Sequence, residues 1–308
     1  MKTFTVPKNS PQIRLDQWLK EIFPDLGLRA IRRLIATKQI LVNSTPTNPA
    51  YKVKPNDLIN YNPCPTPKVA PPVIIQETDS YIFFQKPANI HTVSLQGGQN
   101  PSLEEAINSL PQFQTNKPIL LQRLDYETSG LICAAKTPYA ALKFREAERS
   151  GLITKKYLAI LHGQLKLPTI ATQILDPTHK LVRQESGQAH PLRHTSFEPL
   201  AFFLANSPWP NWFINPKDYP LVPLDLTLTG CILKMGVRHQ IRSHAKSLNH
   251  PLWLDDQYTL PNFPKPTNQG TFYLHQIQIT LPETSCTLWP DWLTNVDQLP
   301  KIREWLEN

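Results

Sequence analysis

Along the first sixty residues the apolar positions Ile13, Leu15, Trp18, Leu19 and Ile22 recur at helical spacing, and Pro24 closes that stretch. A second amphipathic segment spans residues 28–37. Ile31, Leu34 and Ile35 face inward there, with Arg29, Arg32 and Arg33 on or beside the opposite face. The period then shortens. Ile40, Leu41 and Val42 read as a strand, Asn43 and Ser44 as a turn, and residues 58–61 as a returning strand. From residue 73 onward, apolar runs at 73–75, 81–85, 119–121, 131–135, 157–161, 224–228 and 272–280 alternate with helical patterns at 138–148 and 242–248. Many connections are too short for helical crossovers. The chain therefore predicts an α+β fold with a mainly antiparallel mixed sheet flanked by helices.

Residues 62–72 carry five prolines in eleven positions, which predicts an extended, semi-rigid joint. It divides the chain into a small αβ module, residues 1–61, and a large one, residues 73–308. Residues 199–223 are also proline-rich and predict a long surface connection between strands. There is no internal repeat.

Composition narrows the possibilities. A chain of 308 residues has room for one large domain and a small one. No apolar stretch approaches the length of a membrane span, and the first residues lack the apolar core of a signal peptide. Cys64, Cys133, Cys231 and Cys286 lie far apart, a poor disulfide framework and a poor zinc site, so the expected setting is the cytoplasm. The net charge of +8 is unevenly spread. Residues 1–60 hold ten basic side chains against four acidic ones, concentrating positive charge in the small module as phosphate binding requires. Arg29, Arg32, Arg33 and Lys38 are the candidate contacts for a nucleic acid there.

The chemistry centres on residues 122–131, Gln-Arg-Leu-Asp-Tyr-Glu-Thr-Ser-Gly-Leu. One acid, Asp125, sits between two short apolar runs, a placement that holds a side chain rigidly at the mouth of a cleft. Organising the turn through backbone hydrogen bonds is the plainer role for such an aspartate. Four further segments stand beside it. Residues 83–91 end a strand in a Lys86-Pro87 turn, and Lys155-Lys156-Tyr157 opens another strand. Residues 236–244, Gly-Val-Arg-His-Gln-Ile-Arg-Ser-His, are dense in hydrogen-bond donors, and residues 251–256, Pro-Leu-Trp-Leu-Asp-Asp, follow shortly after.

Taken in order, these five blocks resemble the catalytic domain of the RluA family of pseudouridine synthases, from residue 73 to about residue 290, and His275 fits the late strand of that family. The small module resembles the RNA-binding domain of the ribosomal-protein S-four type. It does so through Arg-Leu-Asp-x-x-Leu at 14–19, the basic helix, Ile-Leu-Val-Asn at 40–43 and Val-Lys-Pro-Asn-Asp-x-Ile at 53–59.

The resemblance implies a pseudouridine-synthase fold and an isomerase that converts uridine in structured ribosomal or transfer RNA into its C5-linked isomer. The N-glycosidic bond breaks, the base turns, and a carbon–carbon bond forms. No redox change, hydrolysis or transfer to a second molecule occurs, so no cofactor or metal is expected. Asp125 is implied as the catalytic carboxylate and Arg242 as the partner that keeps it charged in a dry pocket. Tyr157 is implied as the pocket tyrosine, its ring against the uracil and its hydroxyl available for proton transfer. Arg123, Lys86 and Lys155 are expected to hold flanking phosphates of an RNA whose target base is extruded from its stack. His239 and Gln240 are expected to organise the turn before Arg242, and Cys133 and Trp253 to be core. The histidines and acids at 239, 244, 250, 255 and 256 match no zinc spacing. The protein is expected to act as a monomer.

The chain departs from the family pattern at Gln122, where histidine is usual, at Val237, where a basic residue is usual, and at Leu254, where glycine is common. Asn89 stands where the family's Lys-Pro turn has glycine, and asparagine tolerates the left-handed backbone such a turn needs. Two other functions fit parts of the pattern. A non-catalytic RNA chaperone or ribosome-assembly factor would keep the pocket without the reaction. A glycosidase-like hydrolase would need a second carboxylate, for which Glu127 is the nearest acid.

Overall fold

The computed structural model describes residues 2–63, 70–95, 101–179, 181–214, 216–261, 263 and 271–308. The middle of the proline-rich joint, residues 64–69 with Cys64, lies outside the described residues. The chain divides into two units, Met1–Pro71 with His91–Leu110, and Pro72–Ile90 with Pro111–Asn308.

The first unit runs β1 (Lys2–Thr5), α1 (Leu15–Ile22), α2 (Leu28–Ala36), β2 (Ile40–Val42) and β3 (Leu58–Tyr61). Strand β1, which the apolar pattern did not reveal, pairs antiparallel with β3, and β3 with β2, giving the order β1-β3-β2. The inward residues of both helices, Leu15, Trp18, Leu19, Ile31, Leu34 and Ile35, pack on Ile40, Val42 and Ile59. This follows from their 3.6-residue period meeting the strands' period of two. Helix α2 ends where the Thr37 hydroxyl donates to the Arg33 carbonyl at 2.9 Å and Lys38 takes a left-handed φ of 59°. The later part of this unit holds α3 (Leu103–Asn108), fixed by a capping box in which the Glu105 N–H donates to Ser102 Oγ at 3.1 Å.

The second unit is built on one ten-stranded sheet. Its elements, in chain order after the first unit's three strands, are β4 (Val73–Glu77), β5 (Tyr81–Lys86), β6 (Ile119–Leu120), β7 (Ser129–Ala135), α4 (Pro138–Arg149), β8 (Thr154–His162) and β9 (Thr169–Ala171). Then come the hairpin β10 (Gln173–Asp176) and β11 (Arg183–Gln188), followed by β12 (Thr195–Phe203), β13 (Leu226–Leu233), α5 (Gln240–Ser247), β14 (Leu274–Thr280), β15 (Ser285–Thr287) and α6 (Pro300–Glu307). The strands lie in the order β4-β5-β7-β14-β8-β13-β12-β9, with β6 on β7 and β15 on β14. Every pairing is antiparallel except β7 with β14, which is parallel and in register at Ser129–His275 and Gly130–Gln276.

Strand β8 is buried at every position after Thr154, as a central strand covered on both faces must be. Helix α4 covers one side with Ala140 and Phe144; Thr137 caps it and Pro138 stands in its first turn. On the other side α6 lays Ile302 and Trp305 over Leu158, Ile160 and Leu228. Gly230 permits that approach, since a Cβ there would lie 2.5 Å from the Trp305 ring. Lys156 Nζ donates to the carbonyls of Trp305 at 2.9 Å and Leu306 at 2.8 Å, capping the last turn of α6 from within.

The expectation for residues 199–223 needs correcting. Residues 199–203 complete β12, and the remainder carries Trp209, Phe213 and Tyr219 onto Trp253 and Tyr273, with Trp212 against Phe203 and Phe213. Phe213 and Val222 are buried. Prolines here shape a connection that covers core instead of merely crossing the surface, because its aromatic side chains bury more apolar area than an exposed loop would allow.

Candidate active site

Asp125 lies in the loop between β6 and β7, and four neighbours hold that loop in shape. The Thr128 N–H donates to the Asp125 carbonyl at 3.2 Å, and the Asn89 N–H to the Tyr126 carbonyl at 2.9 Å. Gln122 Nε2 donates to the Leu131 carbonyl at 3.1 Å. Lys86, fully buried at the end of β5, donates from Nζ to the carbonyls of Pro87, Tyr126 and Thr128 at 3.1, 3.2 and 2.7 Å. Asn89 adopts φ +63°, the left-handed conformation expected of it.

Past the loop, β7 is fastened to β14. Ser129 Oγ meets His275 Nδ1 at 2.8 Å and His275 Nε2 meets the Leu288 carbonyl at 2.9 Å. Burial lowers the His275 pKa to about 4, so the ring is neutral and bridges the hydroxyl to the carbonyl. Gly130, at φ +124°, is the one residue that fits beside β14, because an added Cβ would stand 2.4 Å from the Gln276 nitrogen.

The arginine comes from the helix that follows β13, an interior strand of the same sheet. After β13 the chain turns through residues 234–239, and His239 takes φ +55° immediately before α5. Gln240 braces this turn, accepting from the Val237 N–H at 3.0 Å and donating to the Arg193 carbonyl at 2.8 Å. Arg242, one turn into α5, is buried; Nε and Nη2 bond Asp255 at 2.6 and 2.8 Å, and Nη1 lies 3.7 Å from Asp125 Oδ2. The Phe272 and Tyr258 rings lie beneath its guanidinium carbon at 4.6 and 4.9 Å. Burial works against the charge of Arg242. The hydrogen bonds and charge of Asp255, with Asp125 and Glu127 beyond, outweigh that and raise its pKa above the ordinary value. His239 Nε2 faces the other oxygen of Asp125 at 3.8 Å. The Asp125 side chain retains 20 % of its surface, so the carboxylate is held but reachable.

Tyr157 on β8 is in register with Gln276 on β14, which is in turn in register with Gly130 on β7. Its hydroxyl donates to Gln276 Oε1 at 2.7 Å. Burial, with the Asp125 charge adding to it, raises the phenol's pKa far above its ordinary value. The hydroxyl proton is thus committed to Gln276, leaving the oxygen as an acceptor. A recess of about 320 Å³ is lined by Glu127, Ser129, Tyr219, Leu254 and Phe272 among others; Asp125, Tyr157 and Arg242 are not part of its lining. Burial raises the Glu127 carboxyl against the pull of Arg242. Leu254 adopts φ +69°, a left-handed backbone that glycine fills more easily.

Asp125 and Arg242 are therefore brought together as the sequence suggests, while two other expectations are corrected. Lys86 cannot bind phosphate from its buried position, where its ammonium is spent on three carbonyls. Lys155 is also buried, ion-paired with Glu148 of α4. Arg123 remains exposed two residues before Asp125. In the first unit, Arg29, Arg32 and Lys38 are exposed and Arg33 is half-buried. Arg32 shares the buried Asp16 with Arg14, at 2.7 and 3.0 Å. Sequence reasoning did not find Gln276, nor Asp255 as the principal partner of Arg242. A buried aspartate shortly after a donor-rich helix was the available signal.

The chain was compared with known proteins. A family model described as RNA pseudouridylate synthase matches residues 80–247, and the S4 domain matches residues 13–59. A protein of Rickettsia typhi named ribosomal large subunit pseudouridine synthase C is 32% identical over 275 residues, covering 81% of this chain and 84% of that one. The protein of that name from Haemophilus influenzae is 26% identical over 297 residues, covering 91% and 86%. Among solved structures, human RNA pseudouridylate synthase domain containing 1 superposes with a TM-score of 0.52 at 16% identity, covering 76% of this chain and 94% of that one, a likeness of fold.

Proposed function

Since this chain belongs to the RNA pseudouridylate synthase family, we propose that it isomerises a uridine of ribosomal large subunit RNA with Asp125 as the catalytic carboxylate. The observation that carries this reading is the placement of Asp125: partly exposed, one oxygen 3.7 Å from Arg242 Nη1, in a loop fixed by Lys86, Asn89 and Gln122. An ionised carboxylate so held can act at the sugar or base of an extruded uridine while the N-glycosidic bond breaks. Arg242 faces that carboxylate in a site from which the incoming base drives water. Tyr157 supplies a rigid apolar wall, with its hydroxyl oxygen as an acceptor next to the base. The ribose C1′ leaves N1 and bonds C5, C5 loses its hydrogen as a proton and N1 gains one, so the residues need only hold the detached base and move a proton.

Arg123 would hold a phosphate beside the target, and the basic face of α2 another stretch of the same RNA. The names of the relatives support ribosomal RNA as substrate. Extrusion of the uridine, action as a monomer and a cytoplasmic setting belong to the same proposal; the described cysteines, Cys133, Cys231 and Cys286, are all unpaired, in keeping with a reducing compartment. Among the described residues no helix is long and apolar enough to cross a membrane.

The test is Asp125→Asn and Asp125→Ala, assayed for pseudouridine formation in ribosomal RNA and for RNA affinity. Loss of product with affinity retained is expected. Product formation by Asp125→Ala would remove the proposed chemistry. RNA refolding that is indifferent to the substitution, in a wild-type protein that forms no product, would favour a chaperone.

A further inference from the structure

We propose that His239 is a positioning donor for Asp125, its single proton fixed on Nε2 by Tyr258 and, through Tyr258, by the backbone of Val182. The inference rests on Asp125 being the catalytic carboxylate. Three contacts carry it. The Val182 N–H donates to Tyr258 Oη at 2.9 Å, Tyr258 Oη meets His239 Nδ1 at 2.9 Å, and His239 Nε2 stands 3.8 Å from Asp125 Oδ1.

A backbone N–H can only donate, so Tyr258 accepts from Val182. The phenol has one hydrogen of its own, and Tyr258 is 3% exposed, beyond the help of solvent. Were Nδ1 protonated, two donors would converge on the same oxygen and the hydroxyl hydrogen would be left without an acceptor. That is the arrangement buried polar groups avoid. The hydroxyl therefore donates to Nδ1, and the neutral ring carries its hydrogen on Nε2, toward Asp125. Burial keeps the ring neutral, assisted by the nearby charges of Arg242 and Arg238 and opposed by Asp125 and Asp255.

The two oxygens of Asp125 then each face one donor, Oδ1 the imidazole and Oδ2 the guanidinium. A movement of roughly 1 Å closes either to hydrogen-bonding distance. Val182 directly precedes β11, so the seating of the β10–β11 hairpin governs which nitrogen of His239 is protonated. The left-handed backbone of His239, φ +55°, aims the ring at the loop.

Nitrogen spectra of the full chain with isotope-labelled histidine, at neutral pH, read the tautomer directly and independently of activity. His239→Gln identifies the signal. Nε2–H is expected, with a shift toward Nδ1–H in Tyr258→Phe. A dominant Nδ1–H or a doubly protonated ring in the wild type overturns the proposal, whatever Asp125→Asn does. Replacement of His239 separates donor from backbone roles. Asparagine suits a left-handed backbone but is too short to reach Asp125, whereas glutamine can place a donor where Nε2 stands. Single-turnover rates are expected to fall roughly tenfold further in His239→Asn than in His239→Gln, with RNA affinity unchanged in both. Equal rates, or a faster asparagine variant, contradict it.

Discussion

Arg242 divides one guanidinium between two carboxylates unequally: Asp255 takes the paired edge at 2.6 and 2.8 Å, and Asp125 receives only Nη1 at 3.7 Å. Asp255 is fully buried and also accepts the N–H groups of Gln257 and Tyr258 at 3.0 and 3.1 Å. One acid is thus consumed in holding the arginine, and the other is left partly exposed. Asp255→Asn should lower stability by about 3–5 kcal/mol, because it strands a buried cation, as denaturant titration would measure. It should slow the reaction up to roughly a hundredfold through misplacement of Arg242, without abolishing it. Equal loss of activity in Asp255→Asn and Asp125→Asn would contradict this division.

Lys86 supports the Asp125 loop from below, and burial depresses its pKa to about 7 from the ordinary 10.5 against the pull of Asp125 and Glu127. Lys86→Met removes the donor to three carbonyls and should cost about 2–4 kcal/mol, with RNA affinity unchanged. The sign of the pH effect follows from the depression. Between about 7 and 10.5 the unfolded chain binds this proton more readily than the folded one. The group's contribution is therefore greatest above 10.5 and is lost as pH falls toward 7. Relative to Lys86→Met, the wild type should gain stability from pH 7 to pH 9 by at most about 1.4 kcal/mol per pH unit. A flat difference would show that the lysine titrates elsewhere.

In the first unit, Arg29 and Lys38 are exposed, whereas Arg32 already serves Asp16. Arg29→Gln and Lys38→Gln should each weaken RNA binding and reduce the slope of log affinity against log salt by about 1. Arg32→Gln should mainly destabilise the fold around Asp16. Binding isotherms at several salt concentrations distinguish the two behaviours.

Gly130→Ala drives a Cβ to 2.4 Å from the Gln276 nitrogen at a backbone of φ +124°. Both chain and neighbour are strand backbone, so neither can yield cheaply. A loss above about 3 kcal/mol is expected, with activity falling in parallel because Tyr157 relies on Gln276. An alanine variant of wild-type melting temperature would refute the close approach.

Much of the sheet and the helices α4 and α5 were legible from apolar periodicity, and the meeting of Asp125 with Arg242 was implied by the family resemblance that the short ordered motifs carry; α6, β9, β10, β11 and β15 were not read. The roles of Lys86 and Lys155 were not. Both lysines sit at the ends of apolar strands, and sequence distinguishes poorly between an exposed cation and one buried against carbonyls or a glutamate. Lys155 and Lys156 are adjacent, so on a strand they point to opposite faces, and both faces of β8 are covered. That inference needed the helices α4 and α6 in place. The roles of Asp255 as partner of Arg242 and of Gln276 as partner of Tyr157 were not legible, because each depends on how separate elements pack. The surface connection expected at 199–223 failed for a related reason: its aromatic residues were outweighed in the reading by its prolines.

The parallel seam between β7 and β14 bears on when the protein becomes competent. Ser129 and His275 are 146 positions apart, and nothing local substitutes for that clasp. A nascent polypeptide can fold its basic helix early, but the Asp125 loop gains its frame only after β14 emerges. If Asp125 is the catalytic carboxylate, as proposed, a chain that lacks β14 is expected to form no pseudouridine.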